Sequence, residues 1–409
     1  MKKILVILLS LSLFVYLFIG LLKSSKNIAY HTDEVSWFFH TDFFNQLFLK
    51  RNLDKSFWES YESFDHPPLS KYIFGAYLYQ KEKEVFIARD SLEDKYGRWM
   101  FYFKLDNKQL EENFSRYLNY MREANMIFTV ASLVFVFLIL YKLSKSLLIS
   151  LALPLVLSVN NLFTTTMLRA TSDAHYVAFM LVSIFLYLAY LKEKKLLHLV
   201  LFALFAGLSV SSKLTGALVY ISYLLSEAYF FVTEKEVKEN IKRLFFVFVI
   251  WFFVWWVQNP SIYLSPIANT IAYPKFRYEQ SIRLQKAFPE VALINTKQRL
   301  KALGCTFLGL TCVETYYNGR LTNWLVINLA ALIAGIYFLA LNIKRPKNIN
   351  IFIYFSLFAL SVVGIVGGYL PLNSDRYYLP ILIVIFTLQF MGIGKTIELF
   401  RARIFDVYF

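Results

Sequence analysis

Asp33 and Glu34 stand side by side just beyond the first apolar run, Ile4 to Leu22, in the stretch His31-Thr32-Asp33-Glu34-Val35. Carboxylates so close to hydrocarbon are costly to keep ionised. They are also what a general base is made of, because a carboxylate within reach of a hydroxyl can take its proton as that hydroxyl attacks. Other polar residues collect at what the hydropathy pattern makes the ends of apolar helices. These are Asp65-His66-Pro67-Pro68-Leu69-Ser70-Lys71, Arg169 with Asp173, Lys213, Arg320, and Asp375-Arg376-Tyr377-Tyr378. On one membrane face they would join carboxylates for acid–base work to several cations suited to a phosphate. Each cation alone is also what a helix end carries to snorkel to the interface.

Composition says what kind of scaffold positions them. Of 409 residues, 57% are hydrophobic, 19% aromatic and only 17% charged, against about 25% charged in soluble domains. The expected class is an all-α polytopic membrane protein, whose 41 Phe and 28 Tyr suit lipid-facing surface and interfacial belts. The formal net charge of +15 fits loops that set orientation; no basic domain or nucleic-acid motif accompanies it.

Apolar runs at about 4–22, 125–142, 147–163, 174–191, 197–212, 214–232, 244–258, 321–342, 349–370 and 377–394 predict ten transmembrane helices. With Lys2 and Lys3 in the cytoplasm, every second loop is basic: Lys142 and Lys145, then Lys192, Lys194 and Lys195, then Lys235 to Arg243, then Lys344, Arg345 and Lys347. The tail adds Lys395, Arg401 and Arg403, so both termini are expected in the cytoplasm. The first run reads as a retained signal anchor, since it exceeds the usual core of a cleaved signal and no small-x-small site follows. Two long outer segments remain, about 23–124 and 259–320. Residues 36–49 in the first, and Glu279 to Leu303 interrupted at Pro289 in the second, suit helices lying in the interface. No internal repeat is present and the chain reads as one domain, with no separate soluble domain. All the polar stretches above then fall on the outer face.

Five stretches resemble the GT-C glycosyltransferases, in particular the protein O-mannosyltransferases and their bacterial relatives, the lipid A aminoarabinose transferases. His31-Thr-Asp33-Glu34-Val35-x-Trp37 resembles the acidic motif after the first helix, and His66-Pro67-Pro68-Leu69-Ser70-Lys71 resembles a His-Pro-Pro-Leu-Gly-Lys signature. Leu168-Arg169-Ala-Thr-Ser-Asp173-Ala174, Gly207 to Gly216 with Lys213, and Asp375-Arg376-Tyr377-Tyr378-Leu379-Pro380 resemble three later motifs, in the family's order. Ser70 departs from the usual Gly, and the soluble domains that often accompany these enzymes have no counterpart here. The resemblance implies a GT-C fold and transfer of a sugar, with inversion, from a polyprenyl-phosphate donor on the extracytoplasmic side of a bacterial or archaeal membrane. It also implies Asp33 as the base.

The leaving group of such a donor is a lipid phosphate whose charge grows as the bond to the sugar breaks. Arg169, Lys213, Arg320, Arg376 and Lys71 are the candidates to stabilise it. Glu34 is expected to orient Asp33, bind a sugar hydroxyl, or couple to Asp33 as a like charge. Asp65, His66, Asp173 and Tyr377 are candidate substrate contacts. His66 can equally be part of a rigid proline turn. For Asp173 the stronger expectation is a pair with Arg169, four residues away on one helical face. His31, Asp33, Glu34, Asp65 and His66 could hold a divalent ion, but a monophosphate leaving group needs one less than a pyrophosphate does, and no cofactor is expected. Cys305 and Cys312, the only cysteines, could close a short disulfide loop on the outer side. The acceptor is open among a protein hydroxyl, a lipid and a growing glycan. Two other readings are a transporter or flippase and a non-catalytic envelope-assembly subunit. The apolar look of the inner helix halves argues against a translocation path.

Overall fold

The computed structural model of the protein describes residues 2–96, 107–234, 237–308, 325–343, 349–369, 371–372 and 374–408. Among the described residues the chain is helical almost throughout, without a β-strand and with one isolated bridge between Ala292 and Leu372. It is an all-α polytopic membrane protein. Six described helices are individually long and apolar enough to cross a membrane: Glu111–Ser144, Asp173–Glu193, Leu214–Thr233, Val237–Val257, Ile349–Val366 and Arg376–Leu399. Leu147–Val159 and Asn161–Leu168 make a seventh only as a pair, bent by 70°. The bend has a local cause. Asn160 leaves helical geometry and its side chain accepts from the Phe163 amide, capping the second helix of the pair. The expected ten spans exceed these six or seven; the remaining expected ones fall on the shorter apolar helices Leu196–Ser212 and Leu329–Ile343 and on the first helix Lys2–Asn27.

The helix Asn107–Ser144 begins well before the apolar run that announced it. Its 38 residues span roughly 57 Å, nearly twice the hydrocarbon thickness. Hydropathy marks only its apolar half, and the turns before Asn125 are helical within the expected outer segment 23–124. The outer half buries Phe114, Leu118 and Met121 against Val35, Trp37, Phe38, Phe74, Leu78 and Val85. Those partners come from the helices Thr32–His40, Leu69–Lys81 and Val85–Tyr96. One rigid helix therefore carries the helices of the expected outer segment.

Farther along the chain, Leu325–Ile343 and Asp375–Tyr408 pack backbone to backbone. A methyl on Gly335 would run into the Leu388 carbonyl, and one on Gly392 into the Ala331 carbonyl, so the close approach depends on glycine at both places.

The helices are less apolar inside than hydropathy suggests. Glu227, buried about midway along Leu218–Glu234, accepts from the Tyr187 hydroxyl at 2.7 Å and pairs with Arg243 at 3.1 Å. Packing of Leu218–Glu234 against Val237–Val257 brings Glu227 and Arg243 together, about two turns from the facing ends of the two helices.

Candidate active site

The helix Thr32–His40 starts with a reciprocal cap. His31 Nδ1 accepts from the Asp33 amide at 3.1 Å, and Glu34 Oε2 accepts from the His31 amide at 3.0 Å. Neighbouring helical residues point about 100° apart, so Asp33 and Glu34 face different surroundings. Glu34 is fully buried. Its Oε1 accepts from Arg122 Nε at 2.7 Å and from the Ala170 amide at 2.8 Å, and its Oε2 accepts from Arg122 Nη2 at 2.6 Å. Arg122 spends its remaining N–H groups on the Ser25, Ile28 and Ala29 carbonyls, so all five donors are used. This pair ties the first helix, the helix Thr32–His40 and the break before Asp173 to the long helix.

Asp33 points the other way and keeps about a third of its side chain exposed. Its Oδ2 accepts from Arg376 Nη1 at 2.8 Å, and its Oδ1 lies 3.8 Å from His31 Nδ1. Arg376 in turn lines a cavity of about 340 Å³ with His66, Lys213, Tyr377 and Arg277. The rest of the wall is mostly apolar, including Leu214, Ala217, Leu218, Ile221, Ile365 and Val366. Three cations face this space, each held by one aspartate: Arg376 by Asp33, Lys213 by Asp173 at 2.6 Å, and Arg277 by Asp65 at 2.8 Å. Lys213 is further held over the rings of Tyr176 and Tyr377.

The expected site residues therefore fall into two groups. His66, Lys213, Arg376 and Tyr377 meet at the cavity, and Asp33 touches it through Arg376. Asp65 and Asp173 stand behind the cavity wall as partners of its cations. The expected pairing of Asp173 with Arg169 does not form, because the helix Asn161–Leu168 ends before Arg169 and a new helix starts at Asp173. Thr171 Oγ1 bonds the other Asp173 oxygen at 3.0 Å. Arg169 lies toward His31, on which it acts electrostatically, and is not part of the cavity wall. Arg320 and Cys312 lie outside the described residues, and the Cys305–Cys312 pairing with them. Among the described residues no group of three His, Cys, Asp or Glu side chains is placed to hold a metal ion.

The His-Pro-Pro stretch is a rigid turn. His66 is extended, as a residue before proline should be, and Pro68 opens the helix Leu69–Lys81. This turn stacks the His66 ring on Trp37 at 5.0 Å. Burial holds the imidazole well below its ordinary titration range, aided by the surrounding Arg277, Arg376, Lys213 and Lys71. It is uncharged at neutral pH.

Lys71 is fully buried and outside the cavity wall, its Nζ bonded to the Glu62 carbonyl at 2.6 Å and lying 4.0 Å from the Phe43 ring centre. Burial lowers it from the ordinary 10.5 to about 7. Between those values the unfolded chain binds the extra proton, so stability rises with pH, by up to ~1.4 kcal/mol per pH unit. Lys71→Met should flatten this slope between pH 7 and 9. Denaturation of detergent-solubilised protein across that range checks it, and equal slopes in the two proteins would refute the assignment.

Arg122, Arg277 and Gln280 were not read as site residues from sequence. Arg122 precedes an apolar run like any snorkelling arginine, and Arg277 lies among mixed polar and apolar residues of the helix Pro266–Ala287. Neither carries a local sign of its partner.

The family model for dolichyl-phosphate-mannose-protein mannosyltransferases matches residues 52–260. No curated protein matches the chain. The matched stretch contains Asp65, His66, Lys71, Arg169, Asp173 and Lys213, which is to say the proline turn, the helix break, the cavity lysine and two of the three aspartates that hold its cations. With more than half of its length so matched, this polytopic chain belongs to the dolichyl-phosphate-mannose-protein mannosyltransferase family, membrane glycosyltransferases of the GT-C superfamily.

Proposed function

We propose that the protein transfers a sugar from a polyprenyl-phosphate donor to a hydroxyl acceptor at the extracytoplasmic face, with inversion and with Asp33 as the base. The observation that carries this reading is the contact of Asp33 with Arg376 at the edge of a cavity lined by Lys213, Arg277 and Arg376 and otherwise mostly apolar. A polyprenyl-phosphate sugar has the same division. The phosphate suits Arg376 and Lys213, with Arg320 a further candidate, and the isoprenoid suits the Leu214, Leu218, Ile221 and Ile365 side. Glu34 takes the role of holding the Thr32–His40 helix, and with it Asp33, in place. Asp65 and Asp173 position cations, while His66 and Tyr377 offer neutral hydrogen bonds to the sugar.

As the acceptor oxygen attacks the anomeric carbon, its proton passes to Asp33 and the sugar–phosphate bond breaks. The electron pair stays on the lipid phosphate, where the fixed cations meet it. The basic inner loops support an outward-facing site with both termini in the cytoplasm. The acceptor is a hydroxyl, for which the family name suggests a protein. Incubating the solubilised protein with polyprenyl-phosphate mannose and hydroxyl-bearing peptides tests this. Release of polyprenyl phosphate with a mannosylated product is expected. Donor that binds yet stays intact with peptide, lipid and glycan acceptors alike would overturn the reading.

A further inference from the structure

A second cavity, of about 380 Å³, lies among the helices of the expected outer segment. Ser36, Phe39 and His40 bring the helix Thr32–His40 to its wall. Ser36 stands one turn after Asp33 and His40 a further turn on, so the base and the cavity share one face of this helix. Trp37 separates the two cavities. Its ring stacks on His66, which lines the first, at 5.0 Å, and meets His40, which lines the second, edge-on at 5.9 Å. Asp33 therefore has the first cavity on one side, through Arg376, and the second a turn away along its own helix. A hydroxyl held in the second cavity reaches the base without crossing the first.

The two cavities differ in charge. The first has Lys213, Arg277 and Arg376 in its wall; the second has Asp42, Asp54, Glu62 and Glu93 and, among the described residues, no lysine or arginine. Arg89, outside the wall, pairs with Asp42 at 2.6 Å, and burial keeps His40 uncharged at neutral pH. Such a wall repels an anionic acceptor and attracts a cationic one. Phe39, Phe43 and Phe57 give the same space apolar faces. A long aliphatic stem ending in a charge, as in lysine, matches that combination.

We infer that the second cavity receives the acceptor and selects a polypeptide with a lysine or arginine about three residues from the hydroxyl that is modified. The inference rests on the transferase reading above and gives its acceptor a chemistry. The spacing follows from the helix, because Asp33 to His40 covers roughly 10 Å along the axis, which an extended chain crosses in about three residues. The stem of the basic side chain lies on the phenylalanines and its head among the carboxylates.

The test uses three fluorescent threonine peptides that differ only in carrying Lys, Gln or Glu three residues from the threonine. Binding to the full-length protein in nanodiscs is read by anisotropy, and transfer from polyprenyl-phosphate mannose is read in the same samples. The Lys peptide should bind roughly 10-fold more tightly than the Gln peptide and the Glu peptide more weakly than either. The preference should shrink as salt is raised. Asp54→Asn and Glu93→Gln should each lower the Lys-to-Gln ratio, and together bring it toward one. Asp54 is exposed and asparagine can still cap the helix Lys55–Trp58, so that variant stays readable if the double one fails to fold. Wild-type binding that ignores the charge, or a ratio unchanged in both single variants, overturns the inference. Mannosylation of all three peptides with equal KM does so too and leaves the transferase reading standing. Charge-selective binding with the donor left intact overturns that reading instead. A glucosamine oligosaccharide bound in preference to the Lys peptide overturns the peptide assignment.

Discussion

Replacing Asp33 with asparagine is expected to lower sugar transfer by ~10²–10⁴-fold while leaving the fold and donor binding intact. The asparagine keeps the shape of the side chain and an oxygen for Arg376 Nη1. What it removes is the ability to take a proton from the acceptor hydroxyl. Little stability goes with it, because the Asp33–Arg376 pair is about one third exposed and such pairs contribute about 1 kcal/mol or less. Transfer by Asp33→Asn and wild type, measured beside undecaprenyl-phosphate binding and a thermal melt, separates the three effects. If transfer survives, Asp33 is not the base, and an acceptor that is already anionic, such as a lipid phosphate, takes the place of the hydroxyl.

The neighbouring carboxylate should behave in the opposite manner. Glu34→Gln is expected to cost roughly 3–5 kcal/mol of stability, because it leaves the Arg122 charge buried without its partner. The loss includes a buried carboxylate that accepts four hydrogen bonds, from Arg122 twice and from the His31 and Ala170 amides. Activity should fall as the protein loosens, and should recover at lower temperature more than that of Asp33→Asn. Pairing Glu34→Gln with Arg122→Met should restore part of the stability, since removing both charges avoids the unpaired state. A Glu34→Gln protein as stable as wild type yet inactive would assign Glu34 to the chemistry instead of the scaffold.

These two predictions differ for residues that are adjacent in sequence, which marks the limit of what a motif conveys. Asp33 and Glu34 were legible as a functional pair from their types and their place after an apolar run. So was the turn at His66, because proline restricts itself and its predecessor wherever it stands. The Lys213 connection and the Arg376-Tyr377 stretch were legible as helix ends on one face. The division of labour was not. Lys71 sits in the same short motif as His66, yet one turn of helix carries it away from the cavity and onto Phe43. Arg169 and Asp173 have the spacing of a helical ion pair, but the chain leaves the helix between them.

The sequence by itself determined the all-helical membrane class, the location of the apolar runs and the collection of carboxylates and cations at their ends. Hydropathy, caps and proline turns are local properties, readable within a few residues of chain. Only the tertiary structure decided which charge answers which. Arg122 meets Glu34 across 88 residues, Arg277 meets Asp65 across 212, and Arg376 meets Asp33 across 343. In a medium of low dielectric these choices turn on separations of an ångström or two. Such distances are set by how whole helices pack, by the 38-residue helix that supports the outer segment and by the glycine contact between Leu325–Ile343 and Asp375–Tyr408. The periodicity of any one helix carries no record of them.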